Sequence, residues 1–215
     1  MKAKQAANKT LTLLKKQYPD AVTVLGFGKP IGLLVATILS AQCTDARVNI
    51  VTKSLFKKYK TTKDYANADI KKFEQEIRST GFYHNKAKNI INSYKIIEEK
   101  FHGKVPKTMA ELMTLPGVAR KTANIVLSEA YGIIEGIAVD THVKRLSQRI
   151  GLSKNKDPNK IEQDLIKLVP RREWRNISNV LISHGRTVCI ARKPKCGICV
   201  LNKFCMSAFK INKKA

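Results

Sequence analysis

The chain has 215 residues and carries 41 Lys and Arg against 16 Asp and Glu, a formal net charge of +25. That length is enough to bury a real core, as one domain or two small ones, and so positive a field favours a polyanionic partner and binding that weakens steeply with salt. The longest apolar stretch, Ile31 to Leu39, is far short of the ~20 residues a membrane span needs, and no apolar signal core follows the N-terminal lysines, so neither a membrane protein nor a secreted one is expected.

Apolar residues recur at helical spacing and no segment reads as a strand. Lys9 to Tyr18 forms a first short helix, stopped near Pro19. Pro30 opens a helix through about Ser40 that is apolar all round and therefore buried. Asp45 to Tyr59 places Val48, Val51 and Leu55 on one face, and Ile70, Phe73 and Ile77 repeat the pattern before Gly81. Lys86 to Lys100 carries Ile90, Ile91, Tyr94 and Ile97, with Gly103 as its stop. Thr108 and Glu111 have capping-box spacing ahead of Leu112. Leu115-Pro116-Gly117 breaks that pattern, and Val118 to Tyr131 starts another. Val143 to Ile150 is stopped by Gly151. Asp157-Pro158 opens a helix bearing Ile161, Leu165 and Leu168. Glu173 to His184, with Trp174, Ile177 and Leu181, comes last. About ten helices on short connections make an all-α fold.

Two stretches carry chemistry. The turn at Leu115-Pro116-Gly117 opens directly onto a helix whose first amides lack intrahelical acceptors, so a phosphate fits there. Arg120 and Lys121 stand at that end. A positive helix end and a neighbouring cation both disfavour an ammonium, so the Lys121 pKa is expected to be lowered, as a nucleophilic amine requires. Asp140, before the next helical run, has the position of an N-cap that would hold a carboxylate rigidly. Taken alone, a Pro-Gly turn is an ordinary corner and Asp140 an ordinary cap.

The five cysteines include Cys189, Cys196, Cys199 and Cys205 in the spacing C-x6-C-x2-C-x5-C. An odd count crowded at one end argues for a metal site in a reducing compartment rather than a disulfide scaffold. Zinc and a four-iron cluster both accept four thiolates, and on spacing alone a closed zinc site is the commoner outcome. Cys43 stands apart as a small apolar residue.

Leu115-Pro116-Gly117-Val118-Ala119-Arg120-Lys121-Thr122-Ala123, followed by Val139-Asp140-Thr141-His142, resembles the endonuclease III branch of the helix–hairpin–helix DNA glycosylases over nearly the whole chain. The resemblance implies Lys121 as the amine that attacks C1′ of a damaged nucleotide, Asp140 as its carboxylate partner, and Leu115, Gly117, Ala119 and Arg120 as the DNA-backbone clamp. Ala119 replaces a second glycine often found in the family, which asks for a milder backbone conformation there. Gln42 matches the residue that fills the gap left by the extruded nucleotide, and Phe82 falls where a leucine wedge is usual. His142 matches a residue of the same DNA-binding cleft. Ser40 and Asp45 are further candidates for capping or for touching the nucleotide, and His184-Gly185-Arg186 matches a motif that ties a helix end to the cluster.

The resemblance also turns the metal reading from zinc to a [4Fe–4S] cluster on the four C-terminal cysteines, a structural staple whose loop presents Arg192, Lys193 and Lys195 to phosphates. It implies a six-helix domain over 22–134 and a discontinuous one over 1–21 and 135–215, with DNA in the cleft they form. The implied activity is base-excision repair of double-stranded DNA containing damaged pyrimidines or abasic sites, by a monomer located wherever the genome is: cytoplasm and nucleoid, or nucleus and organelle. The chain ends soon after the cluster, and no added mismatch-reading domain is expected. Two other classes would explain part of the sequence. A non-catalytic helix–hairpin–helix DNA-binding module accounts for the charge, and a structural metalloprotein accounts for the cysteines. Both leave Lys121 and Asp140 without a purpose.

Overall fold

In the computed structural model, residues 2–211 are described, and those residues hold eleven α-helices and three short 3-10 turns. Met1 and 212–215, which the expected discontinuous domain includes, lie outside them. The chain forms two compact units, 24–135 and the pair of segments 1–23 and 136–215. No helix among the described residues is long and apolar enough to cross a membrane.

The unit over 24–135 is built on α2 (Pro30–Leu39), whose residues from Gly32 to Leu39 are all buried. Proline at its first turn starts it without a side-chain cap. Around it stand α3 (Asp45–Lys58), α4 (Thr62–Ala66), α5 (Ile70–Ile77) with a 3-10 turn at Arg78–Thr80, α6 (Tyr83–Phe101), α7 (Met109–Leu112) and α8 (Arg120–Tyr131). The helix α2 packs against α3, α6 and α8. Tyr65 stacks between Tyr59, at 5.1 Å, and Tyr94, at 4.7 Å, with the Phe73 ring edge-on to it. The Tyr94 hydroxyl donates to Ile31 O at 2.6 Å, so a fully buried phenol has its acceptor.

The second unit joins α1 (Ala3–Gln17), α9 (Thr141–Ile150), α10 (Pro158–Leu168) and α11 (Trp174–Thr187), with 3-10 turns at Arg171–Glu173 and Cys196–Ile198. Leu14, Val143, Leu146, Ile161, Leu165, Ile177 and Leu181 fill its core. Asp157 caps α10 by accepting from Lys160 N at 3.0 Å. Buried Glu162 receives the Ile137 amide at 3.2 Å, and Ser178 donates to Ala138 O at 2.7 Å; together they fix the stretch of chain that leads to Asp140.

Three departures from the sequence reading have simple causes. The helix α1 starts at Ala3 rather than Lys9, because Ala6 and Ala7 are buried and extend the inward face. The helix α6 starts at Tyr83 rather than Lys86, because the left-handed backbone of Phe82 turns the chain directly into it. The five-residue α4, not expected at all, rests on a capping box of Thr61 and Asp64.

Candidate functional site

In the unit over 24–135, the turn before α8 is locked from beneath. Leu115 and Val118 are buried, the Ser93 hydroxyl of α6 donates to Pro116 O at 2.8 Å, and Val118 N donates to Leu115 O at 3.1 Å. Gly117 has φ +77°, and a Cβ there would meet the Asn89 side chain at 2.9 Å, so both conformation and close approach demand glycine. Ala119 is the N-cap of α8 at φ −88°, ψ 169°, extended backbone that any residue adopts, which is why a second glycine is dispensable. Ala119 offers no side-chain acceptor to the first turn. That leaves an end suited to an anion. Arg120 opens the helix, and Lys121 comes next, half-buried.

The same unit carries Gln42 and Phe82. Both are exposed and both have positive φ, 54° and 49°. A non-glycine residue in that region costs roughly 1–3 kcal/mol and persists only where its surroundings impose it. Phe82 is 63% exposed, so its ring adds no core burial to offset that cost. Ser40 ends α2 and donates to Thr37 O at 2.8 Å, while the cap of α3 is Thr44, one residue before Asp45. Cys43 packs half-buried against the core, as a small apolar residue does.

In the other unit Asp140 is the N-cap of α9, its Oδ1 accepting from Val143 N at 2.8 Å. That capping bond engages one of the two carboxylate oxygens. His142 sits one residue into α9 with its Nδ1 3.2 Å from Arg145 Nη2. Burial holds the His142 imidazole below its ordinary pKa, partly opposed by the Asp140 charge and reinforced by Arg145 and Arg186. A Cβ on Gly185 would lie 2.8 Å from His142 Nδ1, so α11 needs glycine where α9 crosses it.

Arg145 also donates to the carbonyls of Gly185, at 2.8 Å, and Cys189, at 3.0 Å. Arg149 reaches Ile190 O at 2.9 Å, Ala191 O at 2.6 Å and Cys189 Sγ at 3.4 Å. His184 is 1% exposed, and burial pushes its pKa down to about 4. Its Nδ1 stands 3.1 Å from the Tyr18 hydroxyl and its Nε2 3.2 Å from Cys199 Sγ. A neutral ring has one N–H, which suits accepting from tyrosine on one side and donating to a thiolate on the other.

The four C-terminal cysteines are free thiols, each partly buried, and all four line one cavity. Burial pushes the Cys199 and Cys205 thiols up, and the neighbouring cysteines add to it, a crowding of sulfur that a cationic centre relieves. No group of His, Cys, Asp and Glu among the described residues converges tightly enough for a single metal ion. One zinc with four thiolates at about 2.3 Å would bring the sulfurs within about 4 Å of each other. Four thiolates that line one cavity can hold a group of several metal atoms as well.

Residues 35–171 match the HhH-GPD superfamily of base excision DNA repair proteins, and residues 189–205 match the iron–sulfur binding domain of endonuclease III. The chain belongs to the HhH-GPD superfamily, in its endonuclease III branch. It is 57% identical to endonuclease III of Synechocystis over 95% of this chain and 94% of that one. A structure of a non-covalent endonuclease III–DNA complex matches at TM-score 0.95 and 44% identity, covering 100% of both chains. A trapped endonuclease III–DNA covalent intermediate matches at TM-score 0.94 and 44% identity, over 98% of this chain and 99% of that one. This member of the superfamily is a base-excision DNA glycosylase and abasic-site lyase that acts on DNA and carries a [4Fe–4S] cluster. The cavity bounded by Cys189, Cys196, Cys199 and Cys205 fits that group, and those four residues would hold it.

Sequence reasoning passed over Lys86, Arg145 and Arg149. Lys86 and Arg149 sit at helix positions where a basic residue normally faces water, and only the tertiary structure shows what they hold. The (i, i+3) spacing of His142 and Arg145 was the one signal available.

Proposed function

We propose that this chain removes oxidised or otherwise damaged pyrimidines from duplex DNA and then cuts the strand 3′ to the abasic site, with Lys121 as nucleophile and Asp140 as its carboxylate partner. The reading is carried by the place of Lys121 on the first turn of α8, immediately after a rigid turn and an N-cap that brings no side-chain acceptor of its own. Binding the DNA backbone there brings an amine to the sugar of a bound nucleotide.

The unprotonated Nζ of Lys121 attacks C1′, and the bond from C1′ to the damaged base breaks, the base leaving with its electron pair and taking up a proton. The carboxylate of Asp140, held by its capping bond, accepts the amine proton or stabilises positive charge developing on the sugar. Ring opening gives an imine on Lys121. Loss of a C2′ proton then expels the 3′ phosphate, breaking the C3′–O bond, and water releases the sugar remnant.

Phe82 and Gln42 enter the duplex where the nucleotide was extruded, since C1′ is out of reach inside the stack. Leu115, Gly117, Ala119 and Arg120 form the backbone clamp, and His142 contributes to DNA binding. The segment over 24–135 supplies the clamp and the nucleophile, and the discontinuous one supplies the carboxylate and the cluster. Cys189, Cys196, Cys199 and Cys205 ligate the cluster, which, when bound, supplies structural cross-linking of the C-terminal loop and no base chemistry. The protein works as a monomer in the compartment that holds the genome.

Borohydride treatment with abasic duplex should trap a covalent protein–DNA adduct. Lys121→Ala should give none while still binding the same duplex. An adduct of equal yield in that variant would move the nucleophile elsewhere.

A further inference from the structure

Lys86 is 5% exposed, yet among the described residues no carboxylate pairs with it. Its ammonium instead donates to two backbone carbonyls, Leu39 O and Thr80 O, each at 2.8 Å. Leu39 is the last residue of α2, and Thr80 is the last of the 3-10 turn after α5. Both carbonyls therefore lie at the negative ends of helical segments, where a cation is favoured. Burial pushes the lysine pKa down from 10.5, so the position works against the charge, and these two acceptors oppose that. A methionine would fill the same space without desolvating an ion.

The two carbonyls stand just upstream of the two exposed side chains with left-handed backbone. Gln42 comes three residues after Leu39, and Phe82 two residues after Thr80. Among the described residues only four that are not glycine have positive φ, and of the other two, His102 merely ends α6 and Phe209 lies beyond the cysteines. Lys86 thus ties together the two stems that carry strained, exposed side chains. Ser40 and Ala41 on one stem and Gly81 on the other are all that separate the pinned carbonyls from Gln42 and Phe82.

We propose that Lys86 is the positioning residue of the gap-filling pair, its ammonium setting the distance from the Gln42 stem to the Phe82 stem so that both side chains enter one opened base step together. This rests on the reading of Gln42 and Phe82 as gap fillers. Nothing in the role requires Lys86 to touch DNA; it acts through two backbone carbonyls.

The test uses the cluster-loaded full chain and a duplex with 2-aminopurine beside a stable abasic-site analogue, whose fluorescence rises when the base is unstacked. Single-turnover base excision is measured in parallel. Lys86→Met should lose the fluorescence rise and slow the single-turnover excision rate about ten- to a hundredfold, as a misplacement of roughly 1 Å does, with affinity for the duplex unchanged. Lys88→Gln, the same charge change at an exposed site on the same helix, should match the wild type. In a Phe82→Ala background, Lys86→Met should add little. If Lys86→Met does not fold, Lys86→Gln, which keeps a polar group there without the charge, takes its place with the same loss expected. Wild-type unstacking in a folded Lys86 variant overturns the proposal. Wild-type unstacking by both Gln42→Ala and Phe82→Ala instead overturns the gap-filling reading beneath it.

Discussion

The unit over 24–135 and the C-terminal loop of the other unit hold their shape by opposite means. The first wraps amphipathic helices and a stack of tyrosines around one buried helix whose sole polar side chain is Thr37. The loop after α11 contains no α-helix among the described residues, and Val188, Pro194 and Leu201 are its only buried apolar side chains there. Its carbonyls turn toward Arg149 and Arg145, and its sulfurs line a cavity. A segment with so little apolar burial cannot offset the entropy of ordering its backbone. The metal group is therefore part of the fold in one place and irrelevant to it in the other.

That contrast can be pressed with four measurements, from the largest effect down. Phe73→Ala removes a fully buried ring from the first unit and should cost about 3–5 kcal/mol, seen as a steep fall in Tm. A loss near that of a surface change would mean that apolar packing does not dominate there. Cys199→Ser should release the loop: rapid proteolysis within 188–211, with the far-UV helical signal nearly intact. Helical loss as large as that of Phe73→Ala would erase the distinction.

Arg149→Met leaves the Ile190 and Ala191 carbonyls without their donor and should cost about 1–3 kcal/mol. It should also speed cluster loss to a chelator, which a purely global destabilisation such as Phe73→Ala would not do selectively. The smallest effect is on pH dependence. Burial holds the His142 pKa below its ordinary 6.5, so the unfolded chain binds the proton more readily. The stability tied to this group is complete above 6.5 and is lost as pH falls through the lowered folded value. Urea melts in mildly acidic buffer should show less stability than near neutrality, and His142→Gln should flatten that slope.

Much of the fold was legible in the residues. Helices that announce themselves by a stiff start or an apolar face, such as α2 after Pro30 and α10 after Asp157-Pro158, begin where the local chemistry says they must. The cysteine spacing points to a metal site and Leu115-Pro116-Gly117 to a tight turn because covalent reach and backbone φ are local constraints, while the kind of metal group and the DNA role of the turn come from the family resemblance. What stayed hidden depends on distant contacts. The left-handed backbone of Gln42 and Phe82 has no sequence signal, since neither is a glycine or an asparagine. Lys86 reads as one more solvated lysine in a chain that has many, and its burial comes from two helix ends 47 and 6 residues away. The alanines that lengthen α1 are too weakly apolar to mark a periodic face.

The Tyr18 hydroxyl at the end of α1 meets His184, which meets Cys199. The beginning of the chain is thus joined to the cysteine loop near its far end. On the ribosome, residues 24–135 emerge whole, while 1–23 must wait for the 80 residues of 136–215, about 4–16 s at ordinary elongation rates. The first segment translated is among the last to find its place, and a nascent chain halted before Cys205 would have a finished Lys121-bearing half and an N-terminal helix still searching for somewhere to dock.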